Sequence, residues 1–358
     1  MLVPVLTWVA LLRLSSPDTV VDAEVPASSW HLSYAAALGS ELDSNARREP
    51  EGDQVVQDGL LRGTWTGDAA WRGAGQRLDL SLSSGAKVFA RERDENTVVG
   101  LLTLSYRLGL EGGWRVGLDL VGRGRSLVDG QRDYLAGATE AVVGTDALGA
   151  VDLELRLGPR AFYYRPEPVF SSTGLGAALW ARLALTRREQ LALNVDLDAR
   201  AFPWSRALLS FGDQGVGSFA DNPRLDLRPT ASLRVVSSRA LYTQASYTLA
   251  YNASNSLGET YLRHQLQGVV GAHLPLDLFA TVTLGVQLAR YPGGLALSQR
   301  LLLEDSDESQ NKLVLTLQYP LGRWLAVEGR LGLYSNELGA AGLRFARVTS
   351  YLGFRYRS

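Results

Sequence analysis

From Trp30 to the end of the chain, apolar and polar residues alternate one by one in stretches of roughly ten to fifteen, each closed by a break. Successive side chains on a strand point to opposite faces, so this period of two predicts strands with one apolar and one polar face. Residues 151–158 read Val-Asp-Leu-Glu-Leu-Arg-Leu-Gly, and 191–198 and 225–235 repeat the pattern. Such strands exceed the five to six residues common in globular domains and reach the nine to eleven or more that a tilted strand needs to cross a bilayer. No sustained period of 3.6 exists, and no apolar run reaches the length of a membrane-spanning helix.

The breaks alternate in length. Short ones fall at 111–113, 145–149, 187–190, 237–239, at Pro275 and at 320–323. Longer ones fall at 91–96, 126–131, 166–172, 203–224, 253–259, 292–310 and 336–341. Tight turns at one end and long loops at the other describe a transmembrane antiparallel up-and-down β-barrel, whereas a soluble sandwich has no reason to sort its loops. The predicted strands are 30–39, 55–65, 76–90, 97–110, 113–125, 132–144, 150–164, 173–186, 190–202, 225–236, 240–252, 260–273, 276–290, 311–319, 323–335 and 342–357. That makes about sixteen, with fourteen or eighteen as the even alternatives; 67–75 is long for a turn.

Ahead of the barrel, residues 2–12 (LVPVLTWVALL) have the length of an export-signal core, and Val21-Asp22-Ala23 offers a small-residue cleavage site. The expected division is a signal peptide over 1–23 and a single barrel domain over 24–358. Arg13 follows the apolar run instead of preceding it, which departs from the usual signal. The chain has no Cys, which excludes thiol catalysis and disulfides. Its formal charge of −1 argues against a nucleic-acid partner.

In a membrane the apolar face must meet lipid. Trp114, Val116, Leu118 and Leu120 then point outward, and Arg115, Asp119, Arg123 and Arg125 point into the lumen. The same parity turns Arg77, Arg107, Arg156, Arg160, Arg182, Arg200, Arg228, Arg234, Arg263, Arg330 and Arg355 inward, with Asp196 and Asp226. Roughly fifteen Arg face about half as many carboxylates in this reading, the polar lumen expected of such barrels. The basic residues are nearly all Arg, Lys87 and Lys312 being the two lysines, a bias that a GC-rich genome also produces. Aromatic residues near strand ends, among them Trp30, Trp71, Trp114, Phe162, Tyr319 and Trp324, suit interfacial girdles. Residues 203–224 are too apolar for a loop in water. Trp204, Phe211 and Phe219 are its candidates for a constriction folded into the barrel mouth.

No catalytic, cofactor or metal site is expected. His31, His264 and His273 show no triad spacing, and Asp196, Asp198 and Asp226 are read as partners of lumen Arg. Glu304, Asp305, Asp307 and Glu308 fall in a long external loop, where they form a solvated tip or bridge lipopolysaccharide through a divalent ion. Residues 215–217 and 122–124 lack the strand-to-helix setting of a phosphate loop.

At its C-terminus, Tyr351-Leu352-Gly353-Phe354-Arg355-Tyr356 resembles the terminal-strand assembly signal of bacterial outer-membrane barrels, although the chain ends on Arg357-Ser358. The resemblance marks Gly353, Phe354 and Tyr356 as the assembly signal. It implies outer-membrane lipid, lipopolysaccharide and the assembly machinery as partners. A sixteen-stranded barrel is wide enough to leave an aqueous channel. Its inward Arg, Asp, Trp180, Tyr242, Gln244, Gln287 and Gln318 make a wall suited to sugars, and the barrel as a whole resembles the sixteen-stranded barrels that export polysaccharide. With about six residues before the first strand, an exporter of this kind would need a separate periplasmic partner. A general diffusion porin is the alternative, and a non-conducting surface scaffold or adhesion barrel is the rival of another class.

Overall fold

The structure, a computed structural model, describes residues 28–49, 55–130, 132–211, 217–293, 311–336 and 345–358. Within them sixteen strands follow in order: β1 (Ser29–Asp43), β2 (Asp58–Gly73), β3 (Gln76–Phe89), β4 (Thr97–Gly109), β5 (Trp114–Leu127), β6 (Tyr134–Leu148), β7 (Val151–Tyr164) and β8 (Ser172–Thr186). The second half holds β9 (Glu189–Phe211), β10 (Gly217–Ser238), β11 (Tyr242–Ser254), β12 (Tyr261–His273), β13 (Phe279–Arg290), β14 (Asn311–Pro320), β15 (Leu325–Ser335) and β16 (Ala346–Arg357). Each strand pairs antiparallel with the next. β1 closes on β16, with Ala35 opposite Arg357 and Asp43 opposite Thr349. Closure leaves no unpaired edge, the condition for a sheet to stand in lipid.

The faces are inverted relative to a soluble barrel. Leu38 on β1 is 64% exposed and Leu352 on β16 is 66% exposed, while Glu41, three residues from Leu38, is 1% exposed. An outward belt of Leu and Val requires a lipid solvent, since an Arg at mid-depth on that face would cost about 2–4 kcal/mol. Trp30 pairs across strands with Trp71, and Trp30, Trp114, Tyr319 and Trp324 are all exposed at the end that carries the tight turns. They form one aromatic girdle there. Phe162 departs from the expected girdle. It sits on the inward parity opposite Ala136 and Ser172 and packs on Tyr134 at 5.6 Å.

Two expected breaks are strand instead. Residues 67–73 belong to β2, so the turn is only Ala74-Gly75, both at positive φ. Residues 203–211 and 217–224 are strand, because β9 runs 23 residues and β10 runs 22. β8 pairs with β9 only as far as Ala201, and β11 pairs with β10 only from Asp226. The continuation is therefore a two-stranded hairpin beyond the sheet, with register shifts between Ser218 and Arg224. Pro203 and Pro223 mislead the sequence reading because a ribbon edge needs no N–H from them. Elsewhere the loops tie to one another: Asp58 Oδ2 accepts the backbone N–H groups of Arg91 and Glu92 at 2.9 and 2.8 Å. The expected signal peptide and the acidic run at 304–308 lie outside the described residues.

Candidate functional site: the lumen wall

Strand alternation delivers the inward side chains, and antiparallel register decides which of them meet. Ser105 on β4 lies opposite Asp119 on β5, and Glu154 on β7 lies opposite Trp180 on β8. Four strands thus converge on one carboxylate. Glu154 takes Arg156 at 2.6 Å, Arg115 at 3.2 Å, Arg182 at 3.5 Å and Arg107 at 3.9 Å. Arg107 also donates both terminal nitrogens to Asp119, at 2.6 and 2.9 Å, and Ser105 Oγ donates to the same carboxylate at 2.6 Å. Asp152 bridges Arg115 and Arg182, and the Arg156 guanidinium lies 5.1 Å from the Trp180 ring. Paired, forked contacts of this kind fix guanidinium planes in place.

A second group spans β6 to β10. Arg160 donates to Glu140 at 2.7 Å and to both oxygens of Asp196 at 3.0 and 2.6 Å. Asp198, fully buried, holds Arg200 at 2.5 Å and Arg228 at 3.1 Å. Gly176 makes the Arg160 geometry possible, because a Cβ there would lie 2.6 Å from a terminal guanidinium nitrogen. Near the long-loop end of the barrel, Arg224 grips Asp226 with two hydrogen bonds at 3.0 and 2.7 Å, reaches Glu259 at 2.6 Å and stacks on Phe202 at 4.3 Å.

A third group lies across the β1–β16 seam. Glu41 pairs with Arg62 and lies 3.6 Å from Lys87 Nζ, and Asp43 pairs with Arg347. All five are buried. On the neighbouring strands Glu328 takes Arg330 at 2.6 Å, Arg355 at 2.9 Å and Gln318 at 3.0 Å. From β11 to β14 the inward parity carries mostly hydroxyls and amides, Gln244, Thr248, Gln265, Gln267, Thr281, Thr283 and Thr316, beside the cations Arg263 and Lys312.

The residues expected in the lumen fall into these groups unevenly. Arg107, Arg115, Arg156, Arg182 and Asp119 belong to the Glu154 group, and Arg200, Arg228 and Asp196 to the second. Asp226 and Arg330 sit in local pairs. Arg123 lies 5.9 Å from the Tyr134 ring and Arg263 lies 4.7 Å from the Tyr261 ring. Arg234, opposite Ala192 and Ser246, pairs with no carboxylate among the described residues. Most inward Arg are thus neutralised, and the wall is a lattice of fixed opposite charges. The seam cluster and the roles of Glu140, Asp152, Glu154 and Glu328 escape sequence reading. Parity could have placed them inward, but cross-strand register is not readable from one strand.

Of the constriction candidates, Trp204 and Phe219 lie on the extended hairpin, 60% and 57% exposed, and Phe211 ends β9 with its side chain outside the described residues. The hairpin is tied to the β11–β12 loop, where Leu257 N donates to the Leu208 carbonyl at 2.8 Å. Of the assembly-signal residues, Gly353 pairs with Gly39, Phe354 is exposed outward, and Tyr356 stacks on Tyr34 at 5.6 Å. His264 Nδ1 lies 2.7 Å from the Tyr247 hydroxyl, and His273 packs on Phe279. Among the described residues no group of three or more His, Asp or Glu is placed to hold a metal ion.

No protein-family model matches the sequence, and no curated protein does. Among solved structures the barrel is similar to OprB of Pseudomonas putida, at 8% identity over 92% of this chain and 94% of that one, with a TM-score of 0.51. It also matches Salmonella typhi OmpF, at 8% identity, 92% and 97% coverage and a TM-score of 0.48. A third match is a bacterial polysaccharide outer membrane secretin, at 9% identity, 91% and 98% coverage and a TM-score of 0.42. At such identities the likeness is one of fold. With the outward apolar belt, that fold makes the chain a bacterial outer-membrane β-barrel.

Proposed function

We propose that this barrel is a channel for hydrophilic and anionic solutes, acidic polysaccharide among them, working with a separate periplasmic partner. One observation carries the reading: charged and amide side chains line the wall and are held in register by their neighbours, as in the Glu154 group. Fixed charges on an aqueous wall sort solutes by sign and leave them free to move on, because the wall groups already have partners. The β11–β14 sector adds hydroxyls and amides, which exchange hydrogen bonds with sugar hydroxyls.

A second reading rests on a different observation. The inward side chains of Glu41, Asp43, Arg62, Lys87 and Arg347 are all under 8% exposed, toward the long-loop end of the barrel. Burial of this kind on a lumen wall suits a barrel closed at that end, a non-conducting scaffold. Proteoliposome swelling separates the two. Entry of glucuronate faster than glucose of similar size supports the channel, and no swelling by a correctly folded barrel supports the scaffold.

A further inference from the structure

One recess in the lumen wall is lined by three guanidinium groups, and among the described residues no carboxylate lines it. It spans β5 to β9 and holds about 160 Å³, lined by Arg123, Arg160 and Arg200 together with Ala138, Phe162 and Ser172. The dent has a sequence cause. Gly174 lies between Arg160 and Arg200 in the cross-strand register, so no side chain fills the gap between the two guanidiniums. A Cβ at Gly174 would also collide with the Ala199 carbonyl. The carboxylates of this region, Glu140, Asp196 and Asp198, hold Arg160 and Arg200 in place without entering the recess.

We infer that this recess is a subsite for a six-membered ring bearing a carboxylate, a hexuronate unit. The inference rests on the reading of the lumen as a solute path. A cavity near 150 Å³ takes one six-membered ring. Guanidiniums match a carboxylate in charge, and Arg160 and Arg200 meet it as members of ion pairs with Glu140, Asp196 and Asp198. Phe162, half-buried, adds apolar aromatic surface to the lining, against which the C–H groups of a sugar ring can pack. Ser172 also lines the recess, and its hydroxyl can both donate to and accept from a sugar hydroxyl. A neutral hexose loses the charge-assisted contacts, and a flat apolar acid loses the hydroxyl contact.

The test is calorimetric binding to the detergent-folded barrel, with D-galacturonate, hexagalacturonate, D-galactose and benzoate as probes. Folding of every variant is checked by heat-dependent gel migration. Galacturonate should bind, and galactose should bind about ten-fold or more weakly, the size of one charge-assisted hydrogen bond. Ala138→Leu, which fills the recess without touching a charge, should abolish binding, and Ser172→Ala should weaken it. If the hexamer binds more tightly than the monomer, the ligand is a unit of a polymer; equal affinity points to a free sugar acid. Equal binding of galactose, preference for benzoate, no binding by the folded barrel, or full binding by folded Ala138→Leu would each overturn the subsite. Because binding needs no conductance, a barrel that binds but does not conduct keeps the site and loses the channel, and the reverse keeps the channel alone.

Discussion

Gly39 and Gly353 face each other across the seam where β1 meets β16, and neither has room for a Cβ. A Cβ on Gly39 would lie 2.5 Å from the Gly353 Cα, and one on Gly353 would lie 2.5 Å from the Leu38 carbonyl oxygen. The Tyr351 ring lies against the same pair. The glycine of the C-terminal Gly-Phe-Arg-Tyr run is thus where the barrel closes. Gly39→Val and Gly353→Val should each lower stability by about 1–3 kcal/mol through overpacking, read as a smaller heat-modifiable folded fraction and a lower urea midpoint. Gly329→Ala, on β15 with open space around its Cβ position, should leave both unchanged.

Glu154 carries the largest share of neutralisation on the wall. Its removal in Glu154→Gln leaves Arg107, Arg115, Arg156 and Arg182 to share Asp119 and Asp152. These four retain 13–27% side-chain exposure, so water screens part of the repulsion. The expected destabilisation is about 1–3 kcal/mol, below the cost of breaking a fully buried pair. In a channel the same variant should shift the reversal potential further toward anions. A variant as stable as the parent with unchanged selectivity would remove Glu154 from the centre of the wall.

The inverted faces predict opposite responses to one substitution type. Leu118→Arg places a guanidinium on the lipid side of β5 and should cost about 2–4 kcal/mol. Thr248→Arg, on the inward parity of β11, should cost well under half of that and raise anion preference. Unfolding by urea in lipid vesicles checks both, and equal costs would mean that the parity is wrong.

The β9–β10 hairpin stands beyond the sheet, with Trp204 and Phe219 exposed. Removing residues 206–219 and joining the ends through two glycines should leave the folded fraction and the step conductance unchanged. A rise in conductance would return these aromatics to the role of a constriction.

Much of this barrel is legible in the sequence because the side-chain period of two, the parity of Arg and the alternation of break lengths are local properties. The strand at 97–110 is found at 97–109, and that at 260–273 at 261–273. What is lost is non-local. Glu41 and Arg347 lie at opposite ends of the chain, and only the β1–β16 closure brings them together, so no window of sequence contains their relation. The type of Phe162 and its place near a strand end suggest the girdle, whereas parity turns it into the lumen. Two prolines and scattered glycines give residues 203–224 the look of a loop, because register shifts weaken the alternation there.

Single-channel recording of the refolded barrel in a planar bilayer under a salt gradient decides whether the lumen conducts. A channel with this wall gives discrete open steps with a reversal potential on the anion side, shifted further by Glu154→Gln. A barrel shown to be folded by its gel migration, yet giving no steps or a cation-selective current, would contradict it.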